Sequence, residues 1–156
     1  MISALRATCA WAAVATLLAI GCVARTSQQG LTTPAPPLNA SHTIWDGVYT
    51  EEQSQRGEAT YTATCVLCHK PELTGTEIIP SLVGEVFLSR WGTRTAGDLF
   101  ERMRTSMPPN VALRLTPQEY ADVLAYIFSK NQFPAGQDEL SDTFEPLSLI
   151  RMAPSK

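Results

Sequence analysis

The segment that most constrains this chain is the run Cys65-Val66-Leu67-Cys68-His69, a CxxCH motif. Residues three apart on a helical turn lie on the same face, so the two thiols point the same way. His69 follows directly and places an imidazole beside them. The motif therefore requires a helical turn that presents two sulfur atoms and one ring nitrogen to a common group.

This spacing is typical of covalent haem c attachment. Each thiol adds across one vinyl group of the haem, and the neutral imidazole binds the iron. We therefore predict one covalent haem c, held by Cys65, Cys68 and His69. The chain on the N-terminal side of the motif has the character of a helix, which suits this arrangement.

Three other uses of paired cysteines remain as alternatives. A thioredoxin-like redox pair needs a preceding strand in a βαβ unit, and the sequence before Cys65 is not of that kind. A zinc site needs three or four ligands, whereas the other cysteines, Cys9 and Cys22, lie near the N-terminus. A disulfide between Cys65 and Cys68 would close a very small loop.

Helix signals surround the motif. Thr50 with Gln53, and Thr116 with Glu119, have the spacing of capping boxes, and a shorter helix is predicted to begin at Thr95. The helix after Thr116 has apolar residues at helical spacing: Tyr120, Val123, Leu124, Ile127 and Phe128. No stretch alternates with period two. The sequence therefore predicts an all-α fold.

A family resemblance rests on five pieces of the sequence: YTEEQSQRGEATYTATCVLCH, PELTG, IPSLVG, RWGTRTAGDLFERMRTSMP and LTPQEYADVLAYIFSKNQFPAG. The chain resembles class I cytochromes c, in particular the monohaem domains and subunits that accompany periplasmic quinoprotein (PQQ) dehydrogenases. The resemblance implies three to five helices wrapped around one haem. It also implies that Gly57 and Tyr61 cross the C-terminal helix at Val123 and Tyr126. The sequence departs from the family at Lys70, where glycine commonly follows the histidine.

The resemblance further assigns residues around the iron. Met107 matches the second axial ligand, and Pro80 matches the proline whose carbonyl accepts a hydrogen bond from His69. Trp91 matches an aromatic residue near the haem propionates, and Arg90 is expected to pair with one of them. The alternatives are that Pro80 only ends a loop and that Trp91 only fills the core.

Met107 follows the end of the helix predicted from Thr95 and precedes a pair of prolines. A thioether ligand favours ferrous iron and raises the reduction potential relative to a second imidazole. Met103, one turn earlier on the face of Leu99, is expected to pack in the core. Met103 as the ligand, and a sixth position without a strong ligand, are the alternatives.

These features predict an electron carrier with no catalytic residue, which passes single electrons from a dehydrogenase to the respiratory chain. Its expected partners are a dehydrogenase donor and an oxidase or another cytochrome as acceptor. One alternative is an obligate haem subunit of a quinoprotein dehydrogenase complex. Another, from the enzyme class, is a small haem peroxidase or ligand sensor, which would need an iron that Met107 does not occupy.

The N-terminus predicts export. Residues 1–21 have the charged start and apolar run of a signal peptide of the lipoprotein type. Leu18 to Cys22 resembles a lipobox, with Ala19 where leucine is preferred, so Cys22 is the expected lipidation site. Ordinary cleavage after Gly21 and an uncleaved membrane anchor are the alternatives. Each of these places the remaining chain outside the cytoplasm, in the periplasm for the haem protein expected here.

The rest of the chain is divided by composition. Residues 22–43 are polar and proline-rich and predict a flexible tether, in which His42 is solvated. Residues 44–136 are expected to form the haem domain, and 137–156 an acidic solvated tail in which Met152 has no role. The 12 Lys and Arg against 15 Asp and Glu, with a pI near 5.3, argue against a nucleic-acid partner.

Overall fold

A computed structural model describes residues 42–110 and 114–153 of the chain. The predicted signal peptide, the lipidation site Cys22 and nearly all of the predicted tether lie outside the described residues. Within the described residues, no helix has both the length and the apolar character that a membrane span requires.

The described residues form a helical domain, which confirms the all-α prediction. The elements in chain order are β1 (His42–Thr43), a 3₁₀ turn (Ile44–Asp46), α1 (Glu51–Thr64), α2 (Val66–His69), α3 (Gly84–Trp91), α4 (Ala96–Ser106), α5 (Pro117–Lys130), α6 (Phe144–Ser148) and β2 (Ile150–Arg151). The two strands are parallel, with His42 paired to Ile150. The six helices exceed the expected three to five because α2 and α6 are short.

Helices α1 and α5 cross at Gly57, as the resemblance implied. A Cβ atom at this position would lie 1.8 Å from the carbonyl oxygen of Asp122 and 3.0 Å from the Cβ of Tyr126. The rings of Tyr61 and Tyr126 pack one turn further along, with centroids 5.3 Å apart. The two backbones can approach this closely only because residue 57 has no side chain.

The helix starts were largely predictable. Thr95 and Thr116 both form complete capping boxes, with Asp98 and Glu119 as the reciprocal partners. At α1 only half of the predicted box forms, because Thr50 accepts from the Gln53 backbone N–H while the Gln53 side chain bonds elsewhere. Its buried amide donates to the carbonyl of Leu140 at 3.0 Å and accepts from the Leu140 N–H at 2.7 Å.

The C-terminal segment corrects the predicted boundary at residue 136. Leu140, Leu147, Ile150 and Met152 are buried in the core, and Gly97 in α4 lies against the backbone of Ser148. The folded domain therefore continues to at least residue 153, and Met152 is a core residue. The acidic residues that suggested a solvated tail occupy only the outer positions of this segment.

The other predicted boundary also moves. His42 and Thr43, assigned to the flexible tether, form β1, and the His42 N–H donates to the carbonyl of Leu149 at 3.1 Å. His42 is half-buried there and is not a solvated linker residue. His42 and Thr43 thus join the C-terminal segment in closing the domain.

Candidate haem site

A cavity of about 370 Å³ lies between the CxxCH motif, the end of α4 and the inner face of α5, and we call it the central cavity. Each residue assigned to the site from sequence lines it: Cys65, Cys68, His69, Pro80, Arg90, Trp91 and Met107. Much of the remaining wall is apolar and includes Leu99, Val123 and Ile127. The structure therefore brings together the seven residues predicted for the site, which lie up to 42 positions apart in the chain.

The two cysteines lie on either side of the junction between α1 and α2. Cys65 caps α1 and is half-buried, whereas Cys68 lies in α2 and is exposed. Burial raises the pKa of the Cys65 thiol, and a contact with the Thr64 hydroxyl at 3.3 Å acts in the opposite direction. Both thiols open onto the central cavity, as covalent attachment to one ligand requires.

His69 ends α2 and is half-buried at the cavity wall. Burial lowers its pKa below the usual value, which favours the neutral imidazole that binds metals, while the backbone of Pro80 acts in the opposite direction. Pro80 is therefore a neighbour of the ring. However, Nδ1 is buried and has no partner at full hydrogen-bond geometry within the described part of the chain, so the bond expected from His69 to the Pro80 carbonyl stays a prediction.

The turn after His69 places Lys70 in an unusual backbone conformation. Lys70 has φ 68° and ψ 158°, a backbone conformation that is essentially restricted to glycine. The hydroxyl of Tyr61 donates to the carbonyl of Lys70 at 2.7 Å, and the N–H of Lys70 donates to Val66 at 2.8 Å. These bonds hold the lysine in a strained conformation next to the site.

We predict that Lys70→Gly stabilises the protein, because glycine adopts this conformation without the steric penalty that a Cβ brings. Strain of this kind costs on the order of 1–3 kcal/mol, part of which the added freedom of glycine in the unfolded chain offsets. The expected gain in unfolding free energy is about 1 kcal/mol. Chemical denaturation of both holo proteins measures it, and an unchanged or lower midpoint would contradict the strain.

Met107 lies directly after α4 in extended conformation, and its N–H donates to the carbonyl of Met103 at 2.9 Å. The hydroxyl of Tyr120 donates to the Met107 carbonyl at 2.6 Å. Met103 is nine-tenths buried in the core, as expected, but it also lines the central cavity. Both methionines thus face the space in which a sixth ligand is needed.

Arg90 and Trp91 lie at the end of α3 and line both the central cavity and a second, more open cavity of about 630 Å³. Arg102 of α4 lines both cavities as well. Neither arginine forms an ion pair with an acidic side chain in the described residues. Free guanidinium groups beside the cavity suit the pairing with propionates expected for Arg90.

The sequence reasoning missed Tyr61 and Tyr120 as polar residues of the site. Tyr120 is predicted on the apolar face of the C-terminal helix and Tyr61 at the helix crossing, and both are buried. Each nevertheless donates its hydroxyl to the backbone: Tyr61 to the residue after His69, and Tyr120 to Met107. The available signal was chemical, since a buried tyrosine usually needs a partner for its hydroxyl.

The side chains that line the central cavity fit haem c better than they fit a zinc ion or a hydrated metal ion. No carboxylate lines the central cavity, and no group of three His, Cys, Asp or Glu side chains among the described residues is placed to hold a metal ion. The cavity instead offers two thiols, one imidazole and thioether sulfurs within an apolar wall. Imidazole and thioether are axial ligands of haem in cytochromes c.

An all-α domain with these groups around one apolar cavity fits the class I cytochrome c fold, which surrounds one haem. Comparison with protein families agrees: residues 52–127 match the model described as cytochrome c oxidase, cbb3-type, subunit III. The matched segment begins in α1 and ends in α5, so it includes the whole CxxCH motif and Met107. No curated protein and no solved structure matches the chain. The cytochrome c domain carries covalently bound haem c and makes this a haem-based electron-transfer cytochrome.

Proposed function

We propose that this protein is a one-electron carrier whose iron is held by His69 and Met107. The observation that carries the proposal is that both side chains line the same cavity as the two cysteines. The bound haem supplies reversible ferric-ferrous chemistry. The protein's contribution is to keep both axial positions filled, so that no site is left for a substrate.

The chain's own residues perform three tasks in this function. Cys65 and Cys68 hold the ligand covalently, and burial lowers the pKa of His69, which favours the neutral imidazole that binds iron. The apolar wall, with Leu99 and Val123 almost fully buried, excludes water. A filled and dry site reorganises little when the charge changes, which favours rapid electron transfer.

Partner docking is proposed at the outer side of the CxxCH motif. Leu67, between the two cysteines, is 88% exposed, and Ile78, which lines the central cavity, is 89% exposed. Large apolar side chains this exposed are typical of contact surfaces when they lie together. Glu72 and Glu77 are exposed nearby in the sequence, so a partner with an apolar centre and basic rim would complement this face.

We predict that Leu67→Glu and Ile78→Glu each slow electron self-exchange between two copies of the holo protein about tenfold. The added charge repels the same charge on the facing copy and keeps the apolar surfaces hydrated. Line broadening in NMR spectra of mixed oxidation states measures the rate. Val86→Glu is the control, since Val86 is also exposed, at 53%, but lies in α3, outside the segment from the CxxCH motif to Ile78. An equal effect of all three would contradict this docking face.

Two similarities to known families support the proposed electron donor and acceptor. The resemblance to cytochromes of quinoprotein dehydrogenases supports a dehydrogenase donor, and the name of the matched family, an oxidase subunit, supports a respiratory acceptor. A free shuttle and an obligate subunit of a dehydrogenase complex differ in whether the protein copurifies in fixed ratio with its donor. We propose the shuttle. Fixed-ratio copurification from membranes would instead show the subunit.

We also propose that the protein is held at the outer face of a bacterial inner membrane through lipid on Cys22. The support is the lipobox-like segment that ends at Cys22 and the proline-rich stretch that follows. Cys22→Ala should move the holo protein from the membrane to the soluble fraction after cell breakage. Unchanged membrane association would exclude lipid as the anchor, and equal labelling of both proteins by radioactive palmitate would do the same.

A further inference from the structure

The loop between α4 and α5, which begins with Met107, is tied to the helices at both of its described ends. The Tyr120 hydroxyl donates to the Met107 carbonyl at 2.6 Å and accepts from the Leu115 N–H at 3.5 Å. The Arg114 guanidinium donates to the carbonyls of Arg104 and of Thr105, the latter at 2.9 Å. One phenol thus joins the first residue of the loop to its last part.

Tyr120 is well placed for this task. It lies in the first turns of α5 and is 3% exposed, so its ring is fixed by core packing. The start of α5 is itself fixed by the complete capping box of Thr116 and Glu119. A rigid donor therefore holds the backbone of the residue whose side chain faces the central cavity.

The two axial residues differ in how they are held. His69 is flanked by a cysteine that attaches covalently to the haem, so its position survives small changes in the backbone. Met107 has no such attachment, and its thioether is a weaker ligand that small molecules can displace. For Met107, the backbone contact with Tyr120 and the helix end at Met103 are the constraints available in the described residues.

We infer that Tyr120 is a positioning residue that keeps Met107 on the iron and so closes the sixth position to exogenous ligands. The inference rests on the proposed His69 and Met107 ligation. The hydrogen bond that stabilises the loop therefore also affects function. With the bond the protein is an electron carrier, and without it the iron becomes open to small molecules. Without the bond, the Met107 carbonyl loses its partner, and the loop opens more often.

The experiment compares Tyr120→Phe with Tyr49→Phe in the holo protein. The control is closely matched, because the buried Tyr49 donates its hydroxyl to a backbone carbonyl at 2.7 Å, but that carbonyl belongs to Phe133, which does not line the central cavity. Each variant loses one oxygen and one hydrogen bond from a phenol to a backbone carbonyl, and Tyr120→Phe also loses the long bond that its hydroxyl accepts from the Leu115 N–H. Titration of the ferric proteins with imidazole gives the affinity of the sixth position, and chemical denaturation gives the global stability.

Tyr120→Phe should bind imidazole about fivefold to tenfold more tightly than the wild type, a change of ~1 to 1.4 kcal/mol. Tyr49→Phe should lose similar global stability and leave imidazole affinity unchanged. Unchanged affinity in Tyr120→Phe, or an equal increase in both variants, would overturn the inference. If the wild-type ferric spectrum shows no methionine ligation, the proposed ligand pair itself fails, which is a separate outcome.

Discussion

Met107→Ala should abolish the weak long-wavelength absorption band of methionine-to-iron ligation in the ferric protein. The physical reason is that the variant removes the thioether and leaves the iron with His69 as its one strong protein ligand. The reduction potential should fall by a substantial part of the roughly 0.8 V range over which axial ligands tune haem proteins. Optical spectroscopy and a redox titration measure both effects.

Met103→Leu is the matched control for this prediction. Met103 also lines the central cavity, and leucine keeps a similar volume in the core, so the substitution should cost less than about 1.5 kcal/mol. The long-wavelength band should survive it. If Met103→Leu removed the band and Met107→Ala did not, the ligand would be Met103. If the wild type were already high-spin, the carrier function would give way to peroxidase or ligand-sensing chemistry.

Gly57→Ala should destabilise the holo protein by about 3 kcal/mol, at the upper end of the usual range for overpacking. The added Cβ would lie 1.8 Å from the carbonyl oxygen of Asp122 and 2.4 Å from its carbonyl carbon. Both are backbone atoms of α5, so no side chain can move aside to relieve the clash. The helices must separate, which also disturbs the bidentate pair between Arg56 and Asp122, whose two contacts are both 3.0 Å.

The direction of the stability change in Gly57→Ala distinguishes helix propensity from overpacking. Alanine is the better helix former by about 1 kcal/mol, so helix propensity alone would make Gly57→Ala stabilising. Ala59→Gly, on the exposed side of α1, measures the difference in helix propensity between alanine and glycine in the same helix. Unfolding by guanidinium chloride gives both values. A stabilised Gly57→Ala protein would mean that α1 and α5 do not cross as closely as described.

Local signals in the sequence were sufficient for much of the fold and for the candidate site. The CxxCH motif, the capping boxes at Thr95 and Thr116 and the apolar face of α5 act within one or two helical turns. Such signals can be recognised without knowing the partner element. The family resemblance then supplied the crossing at Gly57 and the residues that line the central cavity. The roles of Pro80, Arg90 and Trp91 remain predictions.

Other features depended on contacts between distant parts of the chain. The Gln53 side chain bonds Leu140 instead of completing its capping box, because a buried amide needs both of its polar groups satisfied. The C-terminal segment carries too few apolar residues, at irregular spacing, to show a helical period, so its acidic residues suggested a solvated tail. Burial of Leu147 and Met152 becomes favourable only when α6 and β2 pack against α4.

The sequence by itself therefore determined the chemistry of this protein: two thiols and an imidazole at one spacing, and the helices that surround them. The tertiary structure decided how firmly the residues of the site are fixed in place. It placed Lys70 in a glycine-like conformation beside His69 and directed the hydroxyl of Tyr120 to the carbonyl of Met107. The first contact comes from the Tyr61 hydroxyl of α1 and the second joins α5 to the residue after α4, so both depend on groups that only the folded chain brings together.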